Sequence, residues 1–145
     1  MRHIMVLVVL IAGCGKGVDD YMKKSKNSEA KLQLMKLQSH AKSSFAVNAT
    51  FIKGSAPLTP STPCCAQPTK KCKGHAPGDW DSPVWQQLEF QLDDDFYFQY
   101  SYESDGTTLT ARAVGDPGCD GNLVTFELKG SVANGNPSFT VQEPQ

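Results

Sequence analysis

Residues 21–47 read YMKKSKNSEAKLQLMKLQSHAKSSFAV, and this stretch decides the fold. It holds no proline or glycine, and good helix formers dominate it. Ala30, Leu34, Leu37, Ala41 and Phe45 recur at steps of four, three, four and four, which places them on one face of an α-helix. Leu32 and Met35 are expected to widen that stripe, and most lysines fall outside it. The helix so read is about 27 residues and ~40 Å long, long for a small domain. Its first two turns, Tyr21 to Ser28, carry little apolar surface after Met22 and are expected to project beyond the body.

Downstream the period changes to two. Phe96, Phe98, Tyr100 and Tyr102 alternate as in a strand with an aromatic face. Asp105-Gly106 is a hairpin turn signal, and Leu109, Ala111 and Ala113 line one side of the returning strand. Val124, Phe126 and Leu128 alternate in the next strand. Asn134-Gly135-Asn136-Pro137 then turns the chain into a last one, Ser138 to Gln142. Between helix and strands, residues 56–78 and their immediate flank hold six prolines (57, 60, 63, 68, 77, 83) and read as a loop. Ser82-Pro83 is suited to open a short helical turn over Val84 to Leu88. The expected fold class is α+β: one long N-terminal helix packed on an antiparallel sheet of about four strands.

The chain opens with a basic start, Arg2-His3, then an apolar run from Ile4 to Ile11, then Ala12-Gly13-Cys14. That order is the pattern of a secretory signal peptide. A cysteine directly after Ile-Ala-Gly resembles the bacterial lipobox, whose cysteine becomes the lipidated first residue. The run is well short of the roughly 20 residues of a spanning helix. Gly13, Gly15 and Gly17 suggest a phosphate-binding turn, but they miss the GxGxxG spacing, and Lys16 is followed by Gly17 rather than Ser or Thr. The expected division is therefore a lipoprotein signal at 1–13, a lipid-anchored tether at 14–20 and one domain at 21–145. Gly15 follows the cysteine with no Asp to signal inner-membrane retention, so the outer membrane is the expected location, facing the periplasm or the cell surface.

Export also explains the cysteines. With Cys14 acylated, Cys64, Cys65, Cys72 and Cys119 remain, an even number that reads as two disulfides in an oxidising compartment. A bond between adjacent Cys64 and Cys65 would be strained. Two pairings are left open, each joining one of these two to Cys72 and the other to Cys119. The alternative, a zinc site from Cys64, Cys65, Cys72 and His75, is the weaker reading in an oxidising compartment.

The net charge of -1 gives no argument for a nucleic-acid partner. The charge is segregated, however. Residues 16–53 carry eight lysines against Asp19, Asp20 and Glu29, whereas residues 79–103 carry seven acids and no Lys or Arg. Such faces are ordinarily solvated. The sharper readings are complementary surfaces between copies, or a basic face near anionic lipid headgroups.

The helix start, Tyr21-Met22-Lys23-Lys24-Ser25-Lys26-Asn27-Ser28-Glu29-Ala30, resembles the Tyr-x-x-x-Ser-Lys-x-Ser-Glu-Ala segment of bacterial type IV pilins. Ser82-Pro83-Val84-Trp85-Gln86-Gln87-Leu88, Phe96-Tyr97-Phe98-Gln99-Tyr100 and Ala113-Val114-Gly115-Asp116 resemble pilin-like proteins of the deltaproteobacterial kind. The resemblance spans about residues 18 to 135 and implies a pilin-like head. The pilin leader, its glutamate at mature position five and its long apolar half-helix are all missing from the sequence, and a lipobox stands in their place.

No residue set reads as catalytic, and no motif calls for a cofactor. His3, His40 and His75 lie in the signal, the helix and the loop, with no nucleophile-elbow pattern among the serines. Asp93-Asp94-Asp95 reads as a charged turn. Asp116, Asp120 and Glu127 fall at positions one, five and twelve of a calcium-loop pattern with Gly121 at six, but Gly118 occupies position three. The expectation is a non-enzymatic, surface-anchored pilin-like lipoprotein acting in pilus-related assembly or adhesion. Its partners would be the membrane, through the anchor, and pilus or other surface proteins. The alternative is a periplasmic or surface module that binds a ligand or calcium.

Overall fold

A computed structural model describes residues 15–144. The expected signal peptide, residues 1–13, and the expected lipidation site Cys14 lie outside the described residues. Helix α1 (Gly15–Asn48) lies on one antiparallel sheet of five strands, ordered as they occur in the chain: β1 (Gly54–Thr59), β2 (Phe98–Ser104), β3 (Thr108–Gly115), β4 (Val124–Ala133) and β5 (Asn136–Gln142). A short helix α2 (Pro83–Leu88) fills the end of the core. The fold is therefore α+β, with the helix-on-sheet plan that the sequence led us to expect.

α1 meets the sheet through the expected stripe. Ala30, Leu34, Leu37, Ala41 and Phe45 are its buried residues. The helix lies over β3, β4 and β5, in one core with the buried Phe98, Tyr100, Tyr102, Leu109, Ala111, Ala113, Phe126 and Leu128. Ala111 and Ala113 are small where the helix crosses, so it can approach the sheet closely. Leu32 and Met35 do not widen the stripe. They are 64% and 52% exposed, because at 100° per residue they fall on the far side of the helix from Leu34 and Leu37.

Three further expectations are corrected. Residues 15–20 are already helical, so the helix reaches back beyond the expected Tyr21 to the first described residue. Helical hydrogen bonding runs through Gly15 and Gly17 despite the low helix propensity of glycine. Turns 21–28 do not simply project, since Lys23 and Lys26 reach the loop between β3 and β4. Finally, the proline-rich segment contributes the edge strand β1. It pairs with β2 from Gly54↔Ser104 to Thr59↔Tyr100, with a register shift between Ala56 and Thr59. Pro57 stands in that interval, and proline is tolerated at a sheet edge and at irregularities because no ladder hydrogen bond is asked of it there.

α2 forms where Ser82-Pro83 was expected to open a helical turn. Pro83 takes the first turn, and the Ser82 carbonyl, not its hydroxyl, accepts the Gln86 N–H at 3.1 Å. The helix buries Val84, Trp85 and Leu88. Trp85 is fully buried, and its indole N–H donates to the Thr59 hydroxyl at 3.0 Å.

Candidate functional site

The domain's distinctive surface is built by the segment between β1 and β2, and two disulfides hold it. Cys64 joins Cys72, and Cys65 joins Cys119. This settles which of the two open pairings the chain adopts, and the zinc reading falls because the bonds consume all four sulfurs. Cys64 enters the core and Cys65 turns toward the β3–β4 loop because both lie on one 3-10 turn, Cys64–Ala66. Cys72 is also tied to β2's approach by paired backbone bonds with Phe96, at 2.8 and 3.0 Å.

The β3–β4 loop is held by its own hydrogen bonds. The Asp116 carboxylate accepts the backbone N–H groups of Asp120 and Gly121, at 3.2 and 2.7 Å. Asp120 accepts from Asn122 and pairs with Lys23 of α1 at 2.8 Å, which holds its carboxyl down at about 2. Glu127 lies on the outer face of β4, paired with Arg112 at 2.7 Å and Lys129 at 3.0 Å. The calcium-pattern residues Asp116, Asp120 and Glu127 are thus not brought together. Among the described residues no three Asp, Glu, His or Cys stand close enough to share a metal ion.

α1 is latched to this surface at three successive points. Lys23 pairs with Asp120, the Lys26 ammonium donates to the Pro117 carbonyl at 2.8 Å, and the Glu29 carboxylate accepts the Tyr97 N–H at 2.9 Å. The Tyr97 ring lies under Lys26, 4.6 Å from its centroid, and under Lys71 of the stapled segment at 5.5 Å. Burial pushes Glu29 up to about 7, against the opposing effects of the Tyr97 N–H and the two lysines. None of these three latches was expected from the sequence. Only the spacing of Lys23, Lys26 and Glu29 at steps of three, which makes them one row on the helix, could have suggested a shared contact.

Beside the stapled segment is a cleft of about 670 Å³ between α1, residues 75–81 and residues 85–93. Trp80, Trp85 and Phe90 form its floor, and Lys36, His40, His75, Asp81, Glu89 and Asp93 its rim. Gln91 organises one corner. Its side-chain amide donates to Asp93 at 2.9 Å, and its backbone carbonyl accepts from Lys36 at 3.1 Å. His75 stands 3.6 Å from Asp93. The indole N–H of Trp80 is buried with no partner among the described residues. His75 and Glu89 both adopt left-handed backbone, at φ 51° and 52°. At Glu89 it is the left-handed cap that ends α2. His40 and His75, read from sequence as lying on helix and loop, thus line one cleft. Asp93 joins them, while Asp95 caps Gly74 at 3.1 Å and Asp94 is exposed.

No family model, no curated protein and no solved structure matches this chain.

Proposed function

We propose that this chain is a non-enzymatic, surface-anchored lipoprotein whose pilin-like head acts in pilus-related assembly or adhesion. In this reading Cys14 carries the acyl chains and α1 sets the head at the membrane. The stapled segment between β1 and β2 is the recognition surface.

The observation that carries the reading is the layout of α1. It is already helical at Gly15, the first described residue, and none of residues 15–29 is fully buried. The rest of it is the spine of the head. Residues 15–29 thus lead into the head as continuous helix rather than as an irregular linker. The two disulfides support an exported location, since such bonds persist in oxidising compartments. An ordered loop also recognises a partner at lower entropic cost than a mobile one.

Fractionation of cells that express the full chain tests the proposal. Wild-type protein is expected in the membrane fraction, and Cys14→Ser as an uncleaved or soluble species. A Cys14→Ser protein that matches the wild type in both processing and fractionation would overturn it. The second reading, a ligand-binding module, is favoured by the cleft floored by Trp80 and its unpartnered indole N–H.

A further inference from the structure

The side of α1 that faces away from the sheet is not an ordinary solvated helix face. Val18, Tyr21, Ser25, Ser28, Leu32 and Met35 follow one another at steps of three, four, three, four and three. They form a single ribbon opposite the buried stripe. All six are exposed, with Val18 at 58%, Tyr21 at 72%, Leu32 at 64% and Met35 at 52%. None carries a charge. A helix displayed only to water has no reason to keep four large apolar side chains on its outermost line.

The flanks of that ribbon say what covers it. Lys24, Lys31 and Lys42 border one side, and Lys36 borders the other. On the outward half of the helix the only acid among the described residues is Glu29, and Glu29 is partly buried against Tyr97. Lys24 and Lys42 are exposed, Lys31 meets Glu143, and Lys36 donates to the Gln91 carbonyl. A second copy of the same helix would bring lysine rows against lysine rows. An anionic bilayer surface complements both features at once, because apolar side chains enter the acyl boundary while lysines snorkel to the phosphates.

We infer that α1 lies along an anionic lipid surface on its Val18–Tyr21–Leu32–Met35 ribbon, so that the head rests on its side rather than standing upright. The inference rests on the anchoring reading only for delivery to a bilayer. Each lysine near such a surface is worth about a fivefold gain in partitioning.

The test uses the full chain carrying Cys14→Ser, so that no acyl chain contributes. The apolar run 4–11 is present in every variant and cancels between them, as do the buried Trp80 and Trp85. Leu32→Trp supplies a reporter on the ribbon, and Thr125→Trp supplies a control on the outer face of the sheet, away from α1. Each is mixed with phosphatidylglycerol vesicles that contain brominated lipid, and with phosphatidylcholine vesicles likewise brominated.

The added fluorescence of the Leu32→Trp variant is expected to shift blue and be quenched on the anionic vesicles, with no change in the Thr125→Trp control. Lys24→Gln with Lys42→Gln should lower partitioning by about 25-fold, and Met35→Ser should weaken the blue shift. A reporter signal from Leu32→Trp that stays water-like while the protein floats with the vesicles would overturn the inference. So would a blue shift that rises with protein concentration in the absence of lipid, which would mean a second copy covers the ribbon. Failure of the anchoring reading shows separately, as mature protein that carries no lipid.

Discussion

The Glu29 carboxylate, in the middle of α1, accepts the backbone N–H of Tyr97 at 2.9 Å, sixty-eight residues further along the chain. This bond fixes the helix against the approach to β2 at the point where the stapled segment also arrives, through Cys72 and Phe96. It places an ionisable group in a partly desolvated position, near an all but fully buried Tyr100 hydroxyl without a partner among the described residues.

That position gives the head a specific pH dependence. Burial raises the Glu29 carboxyl from its usual range to about 7. The folded protein therefore holds this proton more tightly than the unfolded chain does. The associated stability is fully present below about 4.5 and is lost as pH rises through about 7. Glu29→Gln keeps an acceptor for the Tyr97 N–H but removes the titration. The melting temperature of the wild type, relative to Glu29→Gln, is expected to fall between pH 5 and pH 7.5. Parallel curves would contradict the assignment.

The buried stripe of α1 should be far less tolerant than its outer side. Leu34 and Leu37 are fully buried, so Leu34→Asp or Leu37→Asp places a charge without a partner in the core, costing on the order of 3–5 kcal/mol. Lys31→Asp disturbs only its exposed contact with Glu143 and should have a small effect. Denaturant unfolding of the three variants measures the contrast, and equal losses would mean the face is misassigned.

The two disulfides should differ in worth. Cys64–Cys72 closes a loop with a sequence separation of 8, and Cys65–Cys119 one of 54. Loop-closure entropy gives about 2.5 kcal/mol for the short one and about 4 kcal/mol for the long one. Cys119→Ser should expose Cys65 to thiol labelling, and Cys72→Ser should expose Cys64. Labelling the denatured, unreduced protein and locating the labelled peptide checks the pairing.

Gly74 fixes the wall of the cleft. Its N–H donates to Asp95 at 3.1 Å, and the next N–H, of His75, donates to Leu92 at 2.8 Å. A Cβ at Gly74 would collide with the backbone of Asp93 and Asp94, which cannot yield as a side chain can. Gly74→Ala should push residues 74–78 away from Asp93 and cost about 1–3 kcal/mol. Gly17, with open space around it, should accept alanine without loss. Amide exchange of His75 reports the displacement directly.

The parts of this fold readable from the chain were those written in a single local period. The 3.6-residue recurrence from Ala30 to Phe45 and the alternation from Phe96 to Tyr102 each mark a buried face, and the Asp105-Gly106 and Asn134-Gly135 turns mark where strands reverse. β1 was hidden because its order comes from pairing with β2, while Pro57 and Pro60 locally argue for loop. Leu32 and Met35 misled because apolar character was taken for burial, although their angle on the helix placed them outside. The disulfide pairing depended on how one 3-10 turn aims two adjacent cysteines. The latches from Lys23, Lys26 and Glu29, and the cleft that His40, His75 and Asp93 line, depend on contacts distant in the chain that leave no local signature.

The most direct test of the anchoring account is the intact mass of the protein extracted from membranes of cells that express the full chain. The expected species begins at Cys14, carries added acyl mass on that residue, and is four hydrogens lighter than its reduced form because of the two disulfides. A species that begins at Met1, or that begins at Cys14 with no added lipid, would contradict the account.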